Sequence, residues 1–271
     1  MRELIDCHIH TGFCNHATGE PAAYVEAARA AGVSAMLFTE HAPLPEAFDP
    51  DRHLSICDAD LEPYCATITT LAEENPDIEI GLGLEVDWLS DDSIYAADSI
   101  ARGRAAGASV FLGSVHFLGT WAFDDPNDMT GWDLRDVDDV WREYVDVWCE
   151  AAASGLFDVM AHPDLPKKFG HRPAHEPLRA YERMAQAAAA SDVLIEVSTA
   201  GLRKPVGELY PGPELLRAFA AAGVTATVGS DAHAPAEVGF AITDAYAALV
   251  AAGHSRIAYP LAGSERRYLE L

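Results

Sequence analysis

A parallel α/β barrel is the fold this sequence predicts, and three observations predict it. Short apolar runs alternate with longer segments of helical period, the pattern of repeated βα units. Several helical segments end in glycine with an apolar run close behind, as in Ala31-Gly32-Val33 and Ala222-Gly223-Val224, the usual glycine of an αβ connection. Histidines and carboxylates recur where the apolar runs end, and barrel enzymes build their sites at the carboxyl ends of their strands. At 271 residues the chain fits one such domain, spanning 1–271.

The elements follow in order. A first strand is predicted over Leu4–His8, entered so soon after Met1 that no charged and apolar leader is expected. Helix Pro21–Ala31 opens on a proline, which the first turn accepts because it needs no donor there. Strand Ala35–Thr39 and helix Asp60–Glu74 come next, then Ile78–Glu85 with Ile94–Ala105, and Val110–Val115 with Asp136–Ala153. Asp158–Ala161 pairs with helix Glu176–Ala190, Val193–Val197 with Pro213–Ala221, and Thr225–Val228 with Glu237–Ala251. That makes seven βα units, one short of a standard barrel. Arg256–Tyr259 reads either as an extra strand or as an extended segment. The polar stretches Trp121–Asp133, after His116, and Pro163–Pro177, after His162, are expected as loops over the site.

Composition narrows the partners. The chain has 43 acidic residues against 18 basic ones, a net charge of −25. Such a surface repels phosphate backbones, so binding of nucleic acid or an anionic membrane through a basic patch is not expected. Five scattered cysteines without a CxxC pair read as reduced thiols. No apolar run approaches the length of a membrane span, and a cytoplasmic protein is expected.

The strand ends carry the chemistry. They read Asp6-Cys7-His8-Ile9-His10, Glu40-His41, Glu85-Val86-Asp87, Ser114-Val115-His116, His162-Pro163-Asp164 and Ser230-Asp231-Ala232-His233. Imidazoles and carboxylates without a cysteine cluster suit Zn, Mn, Fe or Co, and do not choose among them. A histidine taken singly is more often a surface or core residue than a ligand. Here ligand-type residues close six of seven predicted strands, which points to a multinuclear centre. His8 and His10, two apart on a strand, face the same way and can chelate one ion. Glu85 has two oxygens and can bridge adjacent cations; Asp231 adds a second anion. His16, His41 and His233 lie on loops that reach a further ion. Asp6 and Glu40 read as partners that hold ligand side chains in place, with a weaker case for Asp87. Cys7 turns away by alternation, and Cys14 has no partner that would make it a ligand. His53 and His254 read as surface residues, while His171 and His175 stay open.

These motifs, with Cys14-Asn15-His16-Ala17 after the first, resemble in order those of the PHP (polymerase and histidinol phosphatase) family. The resemblance covers nearly the whole chain and implies a distorted (β/α)7 TIM-like barrel. It implies two to three divalent ions, Zn, Mn or Fe: one on His8, His10, Glu85 and Asp231, a second on Glu85, His116 and His162, and a third on His16, His41 and His233. Val197–Pro211, Leu165–Gly170 and Val115–Gly119 are similar to the histidinol-phosphate phosphatase branch, except that Ser198 stands where that branch has asparagine. The expected activity is hydrolysis of L-histidinol phosphate to L-histidinol and phosphate in histidine biosynthesis. Another small phosphate ester, such as a nucleotide, is the alternative, and a non-catalytic metal-binding protein the remaining one.

Expected catalytic residues are Asp231, His233 and Arg203. Arg203 is the candidate phosphate clamp, because a guanidinium binds phosphate through two donors. Lys168, Arg172 and Ser198 are further candidates for contact with substrate. The general acid stays open among His233, Asp231 and His171.

Overall fold

The computed structural model describes residues 3–92, 94–261 and 265–271. Met1 and Arg2, expected to lead directly into the first strand, lie outside the described residues. Strands β1 (Leu4–Ile9), β2 (Val33–His41), β3 (Glu79–Asp87) and β4 (Val110–Ser114) lie side by side in parallel. A small antiparallel hairpin, β5 (Phe117–Leu118) with β6 (Trp121–Ala122), stands apart from them. The parallel sheet continues through β7 (Val159–Met160), β8 (Leu194–Ser198) and β9 (Ala226–Gly229). It ends with β10 (Arg256–Pro260) and β11 (Arg266–Glu270), in the order β1-β2-β3-β4-β7-β8-β9-β10-β11.

Each parallel strand is almost wholly buried, which is why these segments read as continuous apolar runs instead of alternating ones. Closure is incomplete. Among the described residues there is no continuous ladder between β9 and β1, only a bridge of Ile9 with Ala232, where the His10 N–H donates to the Ala232 carbonyl at 2.9 Å. At the other end β10 touches β9 through the single pair Ile257–Ala226 and turns back antiparallel into β11. This hairpin ties down the ends where the parallel strands begin. Arg267 reaches Glu3 at 2.9 Å and Glu79 at 2.8 Å, and the Tyr259 hydroxyl donates to the Met36 carbonyl at 2.9 Å. Seven parallel βα units closed on one side by a bridge make the distorted TIM-like barrel that the sequence led us to expect.

The helices are α1 (Pro21–Ala31), α2 (Leu61–Glu74), α3 (Tyr95–Ala106), α4 (Thr130–Leu134), α5 (Val137–Ala153), α6 (Leu178–Ser191), α7 (Pro213–Ala221) and α8 (Ile242–Ala252). α5 buries Val140, Trp141, Tyr144, Val145, Trp148, Ala151 and Ala152 along one face, and Asp136 caps it by accepting the Asp138 and Asp139 N–H groups. Two expectations change. The last helix starts at Ile242, five residues later than Glu237, because Pro235–Glu237 forms a 3-10 turn. Gly239 beyond it takes φ 71° and donates its N–H to Asp6 at 2.8 Å, so a tertiary contact overrides helical propensity there. The stretch Trp121–Asp133 is not irregular: it contains β6 and most of α4. Trp121, Phe123 and Trp132 pack edge to face within it, and the Trp132 indole donates to the Phe123 carbonyl at 2.7 Å.

Candidate metal centre

Parallel register brings the strand ends to one level. Glu85 on β3 stands beside His41 on β2, and Asp87 beside Ser114 on β4. His10, His116, His162, Asp231 and His233 leave the sheet within four residues of a strand end. Two of them have backbones in the left-handed region, His162 at φ 25° and Asp231 at φ 51°. Residues other than glycine rarely sit there, and strain of this kind gathers at functional sites.

Glu85 is the centre of the cluster. One carboxylate oxygen lies 3.3 Å from His8 Nε2, 3.3 Å from His10 Nε2 and 3.1 Å from His41 Nδ1. Its other oxygen lies 3.0 Å from His162 Nε2 and 3.7 Å from His116 Nε2, and accepts the Ser114 hydroxyl. Asp231 comes within 3.3 Å of His10 Nε2 and 3.8 Å of His8 Nε2. His233 Nε2 faces His16 Nε2 at 3.1 Å, and the His10 and His41 rings stack at 4.2 Å. All nine residues proposed from the sequence as ligands therefore meet at one mouth. Three sets among them can each close on a cation: His8, His10 and Glu85; His41, Glu85 and His116; His16, His41 and His233.

The donor set fits divalent ions. His8 Nε2 and His10 Nε2 point at each other across 2.9 Å, an arrangement that needs either a shared proton or a cation between the lone pairs. Three of the outward-facing nitrogens are already engaged, while His162 Nδ1 is buried with no partner among the described residues. His8 Nδ1 lies 2.8 Å from Glu196, His10 Nδ1 3.3 Å from Glu40, and His116 Nδ1 2.9 Å from Asp87. Carboxylates behind imidazoles fix tautomer and ring angle and make better ligands of them. Glu40 thus has the holding role expected of it, and it also accepts from the Thr11 N–H and hydroxyl. Asp6 holds backbone: it accepts from the N–H and hydroxyl of Ser230 at 2.7 and 2.6 Å, just before Asp231.

Electrostatics divide the cluster. Burial opposes a charge on His8, but Glu196, Glu85 and Asp231 outweigh it and raise the imidazole well above its ordinary value. His10 and His116 are likewise buried yet pushed up to about 10, chiefly by Asp231 and Glu40 for the first and by Asp87 for the second. Burial and the positive His10 hold His41 and His233 well below the usual imidazole range. Burial would raise Glu85 and Asp231, but the surrounding histidines hold both well below it. The pocket is therefore a pair of carboxylates among histidines.

Glu196 was not singled out in the sequence. Its carboxylate joins two halves of the centre, bonding His8 at 2.8 Å and accepting the His162 N–H at 2.9 Å. Gly229 makes the room, since a Cβ there would come within 2.2 Å of the Glu196 carboxylate and 2.5 Å of His8. One signal was available: a lone acid inside Leu194-Ile195-Glu196-Val197, a run that burial on both faces otherwise keeps apolar. We expect Glu196→Gln to lower metal affinity about 10–100-fold in a competition titration with a chelator. Wild-type affinity would reduce Glu196 to a packing role.

The remaining candidates lie around the mouth. Arg203 donates to the Ser230 and Asp231 carbonyls at 2.9 and 3.0 Å and pairs with Glu237 at 3.2 Å. Lys168 pairs with Asp124 at 2.9 Å, and Arg172 with Glu208 at 2.7 Å on the exposed rim. Ser198 is buried, its hydroxyl accepting the Ala200 N–H at 3.3 Å. His171 stacks flat on Trp132 at 4.2 Å. Cys14 is buried near His16, at 4.0 Å, and could also join His10 and His233 in a set of cation donors. Burial pushes its thiol up, and it donates to the Thr11 carbonyl at 3.3 Å.

Comparison with known proteins agrees with this geometry. The PHP domain model matches residues 6–200. A protein of Deinococcus radiodurans named "Probable histidinol-phosphatase" is 39% identical over 246 residues, 90% of this chain and 92% of that protein. A histidinol-phosphatase of Bacillus subtilis is 28% identical, over 87% of this chain and 96% of that one. The crystal structure of histidinol phosphate phosphatase from Lactococcus lactis, complexed with zinc, L-histidinol and phosphate, superposes with a TM-score of 0.81 at 21% identity, covering 98% and 99% of the two chains. Because the family model spans well over half of its length, and a 39%-identical relative most of it, the chain belongs to the PHP domain family.

Proposed function

We propose that this chain hydrolyses L-histidinol phosphate to L-histidinol and phosphate, a step of histidine biosynthesis, in a metal-dependent reaction. The observation that carries the reading is Glu85, whose two oxygens lie within 3.7 Å of five different imidazoles at the carboxyl ends of the strands. The named relatives supply the substrate class.

In this reading His8, His10, Glu85 and Asp231 hold one divalent ion, Glu85, His116 and His162 a second, and His16, His41 and His233 a third. Zinc, manganese and iron all suit these donors. Bound there, such ions supply charge for the phosphoryl oxygens and an acidified water to attack phosphorus. Three of them against Glu85 and Asp231 leave roughly +4 at the mouth, so the acidic surface does not keep a phosphate ester away. Asp231 and His233, 3.4 Å apart beside the proposed ions, are the candidate residues for moving a proton there, and the general acid stays open among them and His171. Five unpaired cysteines accord with a cytoplasmic setting, and no helix among the described residues is long and apolar enough to cross a membrane.

Arg203 is the proposed phosphate clamp, with Lys168, Arg172 and Ser198 as further substrate contacts. Arg203→Ala is expected to raise KM and lower kcat/KM about 10–100-fold, the worth of a charge-assisted contact, with metal content normal. Because Arg203 also holds the Ser230 and Asp231 carbonyls, a loss of metal instead would make it a support of that loop and not a clamp. The function itself is tested by phosphate release from L-histidinol phosphate against a panel of sugar phosphates and nucleotides. A kcat/KM for histidinol phosphate well above the panel is the expected result. Preference for another ester would keep the phosphomonoesterase and discard the pathway.

A further inference from the structure

The segment Gly207-Glu208-Leu209-Tyr210-Pro211 has no part in the chemistry above, yet it is anchored beside the metal centre. Tyr210 and Ser198 exchange backbone hydrogen bonds, at 3.0 Å from the Tyr210 N–H and 2.6 Å from the Ser198 N–H. Ser198 closes β8 in register with Gly229, which closes β9 and leads to Asp231. Tyr210 therefore sits on the same mouth as the ligands.

Its ring is fixed from several sides and is 1% exposed. A Cβ on Gly201 would meet the ring at 3.1 Å and the Glu208 carbonyl at 2.0 Å, so only glycine lets the turn that carries Arg203 close against it. Lys167, buried in its ion pair with Asp164 at 2.8 Å, stands 5.4 Å from the ring centroid. The hydroxyl has no hydrogen-bond partner among the described residues. Buried hydroxyls nearly always find one, in protein, water or ligand. Nη1 of Arg203 and the Thr199 hydroxyl, next along the chain from Ser198, are buried and unpartnered too. The charges that bear on the Tyr210 hydroxyl belong to Asp164, Asp124, Asp231 and Arg203; burial and the three carboxylates push the phenol up. It stays a neutral donor. Asp164 has one unpartnered oxygen of its own, but the hydroxyl does not bond it.

We infer that the Tyr210 hydroxyl, together with Nη1 of Arg203, donates a hydrogen bond to a phosphoryl oxygen of the bound ester, making Tyr210 a substrate-binding residue. The inference rests on the phosphomonoesterase reading and is independent of which alcohol leaves. Tyr210→Phe keeps the ring and removes only the donor. With metal-loaded protein, we expect the dissociation constant for inorganic phosphate to rise about tenfold and kcat/KM to fall by a similar factor. Metal content and Tm should stay at wild-type values, since the lost hydroxyl bonds none of the described residues in the free protein. Phosphate affinity and kcat/KM within twofold of wild type would overturn the inference, and a lowered Tm with them would assign the hydroxyl to a structural water or to Asp164. If wild type hydrolyses other phosphate esters but not histidinol phosphate, the variant must still lose phosphate affinity, so the two readings fail separately. Wild-type protein that takes up no phosphate at all would overturn both.

Discussion

Glu85→Ala is expected to lose bound metal and activity together. Five imidazoles are within 3.7 Å of this one carboxylate, and removing it leaves only Asp231, beside His10 and His8, to offset the cations they would share. The loss should exceed the roughly 10–100-fold that follows from deleting a partner behind a metal ligand, because here the bridge itself is gone. Glu85 is 2% exposed, so the deleted group is not replaced by bulk water in an intact barrel. Elemental analysis of the purified variant and its rate of phosphate release decide the matter. Metal content and rate both near wild type would sink the assignment of the centre.

Stripping the wild-type protein with a chelator should abolish phosphate release, and adding back zinc, manganese or iron should restore it. The same treatment should lower Tm, because ions that bind the folded state alone stabilise it by mass action. Buried Glu85, His8 and His10 were drawn together around a common point, and without cations their charges and lone pairs must be balanced by protons alone. The relative rates with each metal rank the ions that the donor chemistry leaves equivalent. Full activity in protein whose metal is below detection would overturn metal dependence and leave the barrel without a nucleophile source.

How much was legible in the sequence varied with the range of the interaction. Pro21–Ala31 and Pro213–Ala221 were readable to the residue, because proline at the start and an apolar stripe along the length are local signals. Strands were readable within two residues at either end, since burial on both faces keeps them apolar. The start of the last helix was not, because the bond from Gly239 to Asp6 joins residues 233 apart. Nor was the hairpin of β10 and β11 across the strand beginnings, whose anchors Glu3 and Glu79 lie far upstream.

By itself the sequence determined the fold class and the donors of the candidate metal centre, because period and strand-end chemistry are written in short stretches of chain. Only the tertiary structure decided which donors share a point, that Glu196 stands behind both His8 and His162, that Lys168 and Arg172 are paired with Asp124 and Glu208, and that Tyr210 is buried without a partner. Each of these depends on the register between strands and on the path of the loops that leave them. Those are set by packing between residues distant in sequence, and no local pattern encodes them.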